Sequence, residues 1–573
     1  MKQPIIQFTD FTFKYRSQIE PTLNQINLTI YEGEKVVIVG PSGSGKSTLA
    51  HCLNGLVPFS YEGESTGTLH IKGKPQQEYT IFDLSKVVGT VLQDADGQFV
   101  GLSVGEDMAF ILENDCIEQV EMKRRVEEVA DRLELSDKLT ASLHELSGGQ
   151  RQRAAIGGVI IDEVEVLLFD EPLANLDPAT GKQAMELIET IHQQTGATVV
   201  MIEHRLEDVL HRDVDRIIVM DHGHLIADMA PNELLSTSIL EKTFIREPLY
   251  LKAAKFAGCT IVPEMHPAHL TTFDLRGQEE LIRKWATSSP EQLNEPLGTP
   301  LFVAEELSFG YDDKRLQIQD LSLSIYPGEM VAIVGQNGAG KSTLGKLLGG
   351  FEKVQNGRIL HREEDVTNDS IKQRAERVGV VMQNPNHMLS KHMIFDEVAF
   401  GLQLRGFSED EVERRVHEAL EICGLYPFRN WPIAALSYGQ KKRVTIASIL
   451  VLQPEVLLLD EPTAGQDYRH FTEMMHFLQN LQQRGIAVVI ITHDMHLMLE
   501  YANRAVVMVE GKIIFEGDPL DVLLNEELIE QAYLKETSLF QLAEKVGLEN
   551  PKQCVEAFVE EERKRRLLWQ KNY

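Results

Sequence analysis

Gly40-Pro41-Ser42-Gly43-Ser44-Gly45-Lys46-Ser47, followed by Thr48, decides how the chain reads, because the chain writes it twice. The second copy is Gly335-Gln336-Asn337-Gly338-Ala339-Gly340-Lys341-Ser342, followed by Thr343. Both fit G-x-x-x-x-G-K-[ST], and each follows an apolar β-type run, Val36-Val37-Ile38-Val39 and Val331-Ala332-Ile333-Val334. Each also opens a helix-like stretch. That is the context a phosphate loop needs: glycines let backbone N–H groups face phosphate oxygens, the lysine neutralises them, and the serine ligates magnesium. Two nucleoside-triphosphate sites, each with Mg2+, are therefore expected.

Working outward, a chain of 573 residues with a repeat of this length predicts two large domains. Residues 1–240 and 301–530 read as parallel copies, with a connector over 241–300 and a helical tail over 531–573. Strand-like runs alternate with helical periods in each copy, so an α/β fold with a mainly parallel sheet is expected. Six prolines (Pro248, Pro263, Pro267, Pro290, Pro296, Pro300) suggest that the connector is irregular. The tail ends Glu560-Glu561-Glu562-Arg563-Lys564-Arg565-Arg566-Leu567-Leu568-Trp569, which reads either as a solvated helix face or as a contact for lipid headgroups.

The formal charge of −31, from 56 basic and 87 acidic residues, argues against nonspecific nucleic-acid binding, and no nucleic-acid partner is expected. Cys52, Cys116, Cys259, Cys423 and Cys554 are scattered without C-x-x-C, which fits inert thiols in a reducing compartment. No apolar run reaches the ~18–20 residues that span a bilayer, so any membrane role must pass through a partner. His222-Gly223-His224 and His266-Pro267-Ala268-His269 invite metal readings, but a hairpin turn and a loop explain them more simply.

Downstream of each phosphate loop an apolar strand ends in two acids, Asp170-Glu171 and Asp460-Glu461. The first acid suits magnesium held through water; the second is placed to orient or deprotonate an attacking water. Just upstream stand Leu146-Ser147-Gly148-Gly149-Gln150-Arg151 and Leu436-Ser437-Tyr438-Gly439-Gln440-Lys441. A hydroxyl, flexible amides and a helix N-terminus make each an anion site, although Ser147 also reads as a plain helix cap.

With these motifs in this order the chain resembles the ABC-type ATPases. The resemblance implies two such domains, each with a mainly parallel sheet, an antiparallel β part and a helical signature subdomain. It implies that the signature of one copy (Ser147, Gly148, Gly149, Gln150, or Ser437, Gly439, Gln440) caps the nucleotide held by the other. It further implies adenine stacking for Tyr15 and Tyr311, magnesium contact for Gln93 and Gln383 beside Ser47, Ser342, Asp170 and Asp460, and γ-phosphate contact for His204 and His493. Either tyrosine could instead be a core aromatic. Ala174-Asn175-Leu176-Asp177 and Ala464-Gly465-Gln466-Asp467 occupy the D-loop place. Glu171, Glu461, His204 and His493 are then the catalytic residues, and a scaffold that binds without hydrolysis is disfavoured. Tyr438 stands where the first signature has Gly148, so a bulkier, less adaptable backbone is expected there.

The stretches after the glutamines, Asp94-Ala95-Asp96-Gly97-Gln98-Phe99-Val100-Gly101-Leu102 and Asn384-Pro385-Asn386-His387-Met388-Leu389, are similar to those of energy-coupling factor ATPases, the cobalt- and vitamin-importing branch. That resemblance covers both ABC copies but neither connector nor tail. It implies a transmembrane coupling subunit and a small substrate-binding membrane subunit as partners, at the cytoplasmic face of the cell membrane. Hydroxymethylpyrimidine or thiamine, another vitamin, or cobalt would be the cargo. Two rivals remain: a tandem sugar-importer ATPase, and a ribosome-binding tandem translation factor. The second would need a basic connector, whereas 241–300 holds seven Lys/Arg against eight Asp/Glu.

Overall fold

The apolar runs beside the two phosphate loops become central strands of two sheets. The computed structural model describes residues 2–93, 97–174, 176–287, 298–311, 316–464 and 466–572, with side chains as far as Arg565. The chain divides into two compact units, Met1–Ile282 with Asp467–Arg469, and Arg283–Gln466 with His470–Tyr573.

In the first unit the described strands are β1 (Pro4–Tyr15), β2 (Leu23–Tyr31), β3 (Lys35–Val39), β4 (Gly63–Ile71), β5 (Lys74–Pro75), β6 (Val88–Val91), β7 (Val166–Asp170), β8 (Thr198–Ile202), β9 (Arg216–Asp221) and β10 (His224–Met229). They form an antiparallel sheet in the order β2-β1-β4-β5 and a second sheet in the order β10-β9-β3-β8-β7-β6. The second sheet is parallel except for β10. Every residue of β3 is buried, which explains an unbroken Val/Ile run: a parallel strand in the middle of a sheet is covered on both faces. β1 carries Phe8, Phe11 and Phe13 into the core; a register shift between Phe8 and Phe11 lets residues three apart share the buried face, and Phe11 and Phe13 keep the two-residue period of a half-buried strand.

Helices α1 (Lys46–Leu53), α2 (Val104–Asn114), α3 (Gln119–Arg132), α4 (Gly148–Ile160), α5 (Pro178–Thr195) and α6 (Leu249–Phe256) complete the unit's longer elements. α2, α3 and α4 pack on one another as a helical subdomain. The β9–β10 hairpin turns through His222-Gly223, and His269 Nε2 hydrogen-bonds Asp213 at 2.7 Å, so both histidine pairs sit in local structure.

The irregular connector expected over 241–300 is ordered as far as it is described. Pro248 caps α6 and Pro263 opens the short helix Pro263–Met265, positions where a missing N–H costs no helical bond. Leu249, Tyr250, Leu251, Ala253, Ala254 and Phe273 are buried, and Tyr250 Oη donates to the Pro267 carbonyl at 2.6 Å. Residues as far as Ile282 belong to the first unit. Pro290 and Pro296 lie outside the described residues.

The second unit repeats the plan with β11 (Phe302–Phe309), β12 (Ile318–Ile325), β13 (Met330–Val334), β14 (Asn356–His361), β15 (Glu364–Asp365), β16 (Val378–Val381), β17 (Val456–Asp460), β18 (Ala487–Ile491), β19 (Arg504–Val509) and β20 (Lys512–Gly517). Its sheets run β12-β11-β14-β15 and β16-β17-β18-β13-β19-β20, the first unit's orders again. α7 (Lys341–Leu348) follows the phosphate loop, and α8 (Ile394–Gln403), α9 (Glu409–Ile422) and α10 (Tyr438–Leu450) form the helical subdomain. In the tail, α11 (Ser538–Lys545) packs on α12 (Lys552–Asn572), whose Cys554, Val555, Ala557, Phe558 and Val559 are buried. That half of α12 is core, whereas in the charge run that follows Arg563, Lys564 and Arg565 are exposed. The side chains of Arg566-Leu567-Leu568-Trp569 lie outside the described residues.

Candidate functional site

In both units the phosphate loop, the Asp-Glu pair and the histidine lie at the carboxyl ends of the parallel strands, the edge where open α/β sheets take ligands. Gly40 leaves β3 so close to its neighbour strand that a Cβ would lie 2.3 Å from the Met220 carbonyl oxygen; at Gly335 the same distance to Met508 is 2.1 Å. Gly45 and Gly340 then turn the chain through φ of 100° and 99° into α1 and α7. Lys46 Nζ lies inside its loop, donating to Gly40 O at 2.7 Å and Pro41 O at 3.0 Å. Lys341 does the same with Gly335 O at 2.7 Å and Gln336 O at 2.9 Å. Burial pushes the Lys46 ammonium down to about 8, against the opposing pull of Glu171 and Asp170.

Asp170 and Asp460 end β7 and β17, and the following glutamates turn out of line. Glu171 has φ 48° and Glu461 φ 46°, a left-handed conformation that a glutamate rarely adopts. Each is pinned by its own N–H, which donates to Ile202 O and Ile491 O respectively, both at 2.9 Å. The turn aims the carboxylates at the histidines. His204 Nε2 donates to Glu171 Oε1 at 2.8 Å, and Gln93 Nε2 donates to Glu171 Oε2 at 2.6 Å. His493 Nδ1 meets Glu461 Oε1 at 2.7 Å, and Thr492 Oγ1 donates to Glu461 Oε2 at 3.3 Å.

Two adjacent acids in a buried place carry an electrostatic cost. Burial, then Glu171, pushes Asp170 up to about 6, while burial raises Asp460 despite a hydrogen bond from the Ser342 hydroxyl. Ser47, Asp170 and Gln93, and Ser342, Asp460 and Gln383, offer hydroxyl, carboxylate and amide oxygens, a donor chemistry that would suit magnesium. No group of three or more His, Cys, Asp or Glu among the described residues could hold a metal. A magnesium ion here would thus complete its shell with phosphate and water, as this ion commonly does.

Ser147 and Ser437 cap α4 and α10 with matching capping boxes. Each hydroxyl accepts from the glutamine N–H three residues on at 3.3 Å, and Gln150 Oε1 and Gln440 Oε1 accept from the serine N–H at 3.0 Å. The plain helix cap is therefore present in both units, and it leaves the other N–H groups of the first turn without intrahelical partners. Tyr438 opens α10 with helical φ, and Gly148 has no positive φ and open space beyond its Cβ. The expected backbone penalty at Tyr438 is absent because this position never uses glycine's freedom.

Tyr15 ends β1 with Oη 3.1 Å from Thr48 Oγ1 and its ring edge-on to Phe13; His51 stacks on the adjacent Tyr61. Tyr311 is exposed and accepts from Lys346 Nζ of α7 at 3.2 Å. Both tyrosines thus stand against the helix that follows a phosphate loop. Asn175 and Gly465 of the D-loop stretches, and Asp94-Ala95-Asp96, lie outside the described residues. Asp177 caps α5 by accepting from Thr180 N at 2.9 Å.

Sequence reading missed Glu203 and Arg205. The buried Glu203 carboxylate accepts from Leu173 N at 2.8 Å, His204 N at 2.9 Å and Arg205 N at 3.3 Å, while Arg205 reaches the Leu173, Ala174 and Leu176 carbonyls. Together they tie the turn after Glu171 to the histidine. Lys442 was missed too: it is buried in α10 and donates to Gln383 O at 3.0 Å and Glu461 O at 2.8 Å. The only sequence signal was a basic residue where the first copy has Gln152.

Known proteins resemble this chain over nearly its whole length. The family model described as "ABC transporter" matches residues 23–174 and again 318–464. A second model, described as "ATP-binding cassette cobalt transporter", matches residues 237–309, the connector for which the sequence alone showed no resemblance. A protein of Enterococcus faecalis, provisionally named an ABC transporter ATP-binding protein, is 55% identical over 570 residues, covering 99% of this chain and 100% of its own. A Clostridium perfringens protein with the same provisional description is 52% identical over 562 residues, covering 98% and 99%. Among solved structures, cbiO1 from Clostridium perfringens, described as part of the ABC transporter complex cbiONQ, is 36% identical over 43% of this chain and all of its own, with a TM-score of 0.39. The chain belongs to the ABC transporter ATP-binding family, as an ATPase with two such domains in one polypeptide.

Proposed function

We propose that this chain is the ATP-hydrolysing subunit of an energy-coupling-factor type importer for a vitamin, a vitamin precursor such as hydroxymethylpyrimidine or thiamine, or cobalt. The observation that carries the reading is the match of residues 237–309 to a model described as a cobalt transporter cassette, in the segment where the ABC copies themselves say nothing about cargo. The stretches after the glutamines support it. Val100 and Leu102 are exposed and yet held: Asp107 Oδ1 accepts from Val100 N at 2.8 Å and Glu106 Oε2 from Leu102 N at 3.1 Å. In the second unit Glu397 Oε2 does the same for Ser390 N at 2.7 Å and Lys391 N at 2.6 Å. An exposed apolar pair on a braced loop suits a short helix of a transmembrane coupling subunit. No described helix is long and apolar enough to cross a membrane, so attachment at the cytoplasmic face would depend on that partner and on a small substrate-binding membrane subunit.

In the chemistry proposed, Lys46 and Lys341 leave their loop carbonyls to neutralise the β- and γ-phosphates, with the loop N–H groups and Thr48 or Thr343 around them. Tyr15 and Tyr311 take the adenine. Ser47, Asp170 and Gln93, or Ser342, Asp460 and Gln383, would hold magnesium, which would supply charge neutralisation on the phosphates. Glu171 or Glu461 receives a proton from water as its oxygen attacks the γ-phosphorus, and the bond to the ADP oxygen breaks. His204 or His493 holds that carboxylate in line. Pairing of the two copies across ATP, each signature capping the other copy's nucleotide, belongs to the same proposal and rests on the two signature motifs.

Purification of the tagged chain from its own cells in mild detergent tests this reading. Co-purification of a multispanning membrane protein with a small membrane protein is expected. A chain that instead sediments with ribosomes and brings down no membrane protein contradicts it.

A further inference from the structure

The two units brace their glutamine segments differently, and the difference lies in one turn of α10. Tyr438 and Lys442 are four residues apart on that helix and so project from one face. Both reach the same atom: Tyr438 Oη donates to Gln383 O at 3.1 Å and Lys442 Nζ donates to it at 3.0 Å, using both lone pairs of the carbonyl. Lys442 then spans to Glu461 O at 2.8 Å. Its side chain is wholly buried, a place a lysine occupies only when its ammonium is well partnered. In the first unit the matching pair is Gly148, with no side chain, and Gln152, whose Nε2 reaches one carbonyl, Pro172 O, at 2.7 Å. There Gln93 approaches Glu171 through its side chain instead.

We propose that Lys442, assisted by Tyr438, is a positioning residue of the second unit: it locks the Gln383 segment and the Glu461 segment to the head of α10 so that the three move as one block. Glu461 sits in a left-handed turn held by its own N–H, by its carboxylate partners and by Ala464 N, which donates to its carbonyl at 3.4 Å. A second anchor on its carbonyl fixes the orientation of that turn, and sharing the anchor with Gln383 transmits any displacement of the glutamine segment to the carboxylate. The proposal rests on the reading of Glu461 as the group that receives the proton from water.

The test is made in the full-length chain carrying Glu171→Gln, so that turnover reports the second copy. Lys442→Gln installs the amide that the first unit tolerates at the matching position, which can reach one carbonyl but cannot bridge two. The expected result is a kcat lower by about tenfold to a hundredfold, the scale of a misplaced catalytic group, with KM for ATP within about twofold. Tyr438→Phe, which removes only the hydroxyl, should lower kcat in the same direction by about threefold. Unchanged kcat in Lys442→Gln, with Glu461→Gln abolishing turnover, overturns the proposal. So does a parallel loss of thermal stability and ATP affinity, which marks a plain scaffold residue. Should Lys442→Gln fail to fold, an unchanged kcat in Tyr438→Phe overturns it instead. Turnover surviving Glu461→Gln is a different failure, that of the underlying role for Glu461.

Discussion

Raising the pH should empty the first ATP site before it unfolds the protein. Lys46 is the group responsible: burial lowers its pKa from 10.5 to about 8, so the unliganded loop holds a lysine that loses its proton within an accessible range. A bound triphosphate needs the ammonium and stabilises it, so the proton is retained in the complex. Sign and size follow from that linkage. Near pH 7, about one unit below that value, nearly every site is charged and binding is hardly affected. At pH 9.5, about 1.5 units above the folded pKa, roughly one site in thirty still carries the charge, and the apparent Kd for ATP rises about thirtyfold. Calorimetry on a Lys341→Ala chain, where only the first copy binds, measures this directly. Between pH 8 and 9.5 it should also register proton uptake on binding. Lys46→Arg provides the control, since a guanidinium stays charged: its affinity is weaker but flat with pH. A Kd for the lysine chain that does not change from pH 7 to 9.5 refutes the reasoning.

Two further outcomes follow from distances already given. Gly335→Ala places a methyl group 2.1 Å from the Met508 carbonyl oxygen, which has no room to move within its strand; nucleotide binding to the second copy should be lost, and thermal melting should fall by several degrees. Leu102→Asp puts a charge on a fully presented apolar position without touching the phosphate loop, so fractionation should find the chain released from membranes while ATP binding is retained; unchanged membrane association removes this loop from the proposed docking surface.

What could be read before folding was what is contiguous. Lys46, Ser47, Asp170 and Ser147 each lie in a run whose local spacing states its own chemistry, and the strand–loop–helix context of the phosphate loops required the parallel sheet that the structure shows. Residues whose role depends on a non-local neighbour were invisible. Glu203 looks like any acid after a strand until its three backbone donors are seen. Lys442 looks like part of a basic, solvated helix face until Gln383 and Glu461 arrive from elsewhere in the chain. The left-handed turn at Glu171 and Glu461 left no trace because a glycine, the usual marker of positive φ, is exactly what a catalytic carboxylate position lacks. Over 241–282 much of the chain is turn and coil, as the prolines indicated, but Pro248 and Pro263 stand at helix starts, where they look the same in sequence as prolines in loops.

The central claim is that both copies hydrolyse ATP through Glu171 and Glu461, held by His204 and His493. Steady-state turnover of the Glu171→Gln, Glu461→Gln double variant, with ATP binding measured on the same sample, tests it most directly. The account predicts binding like that of the unmodified chain and turnover lower by about a hundredfold to ten-thousandfold, the range for losing a positioned base. Turnover that persists at the unmodified rate in that variant would contradict it.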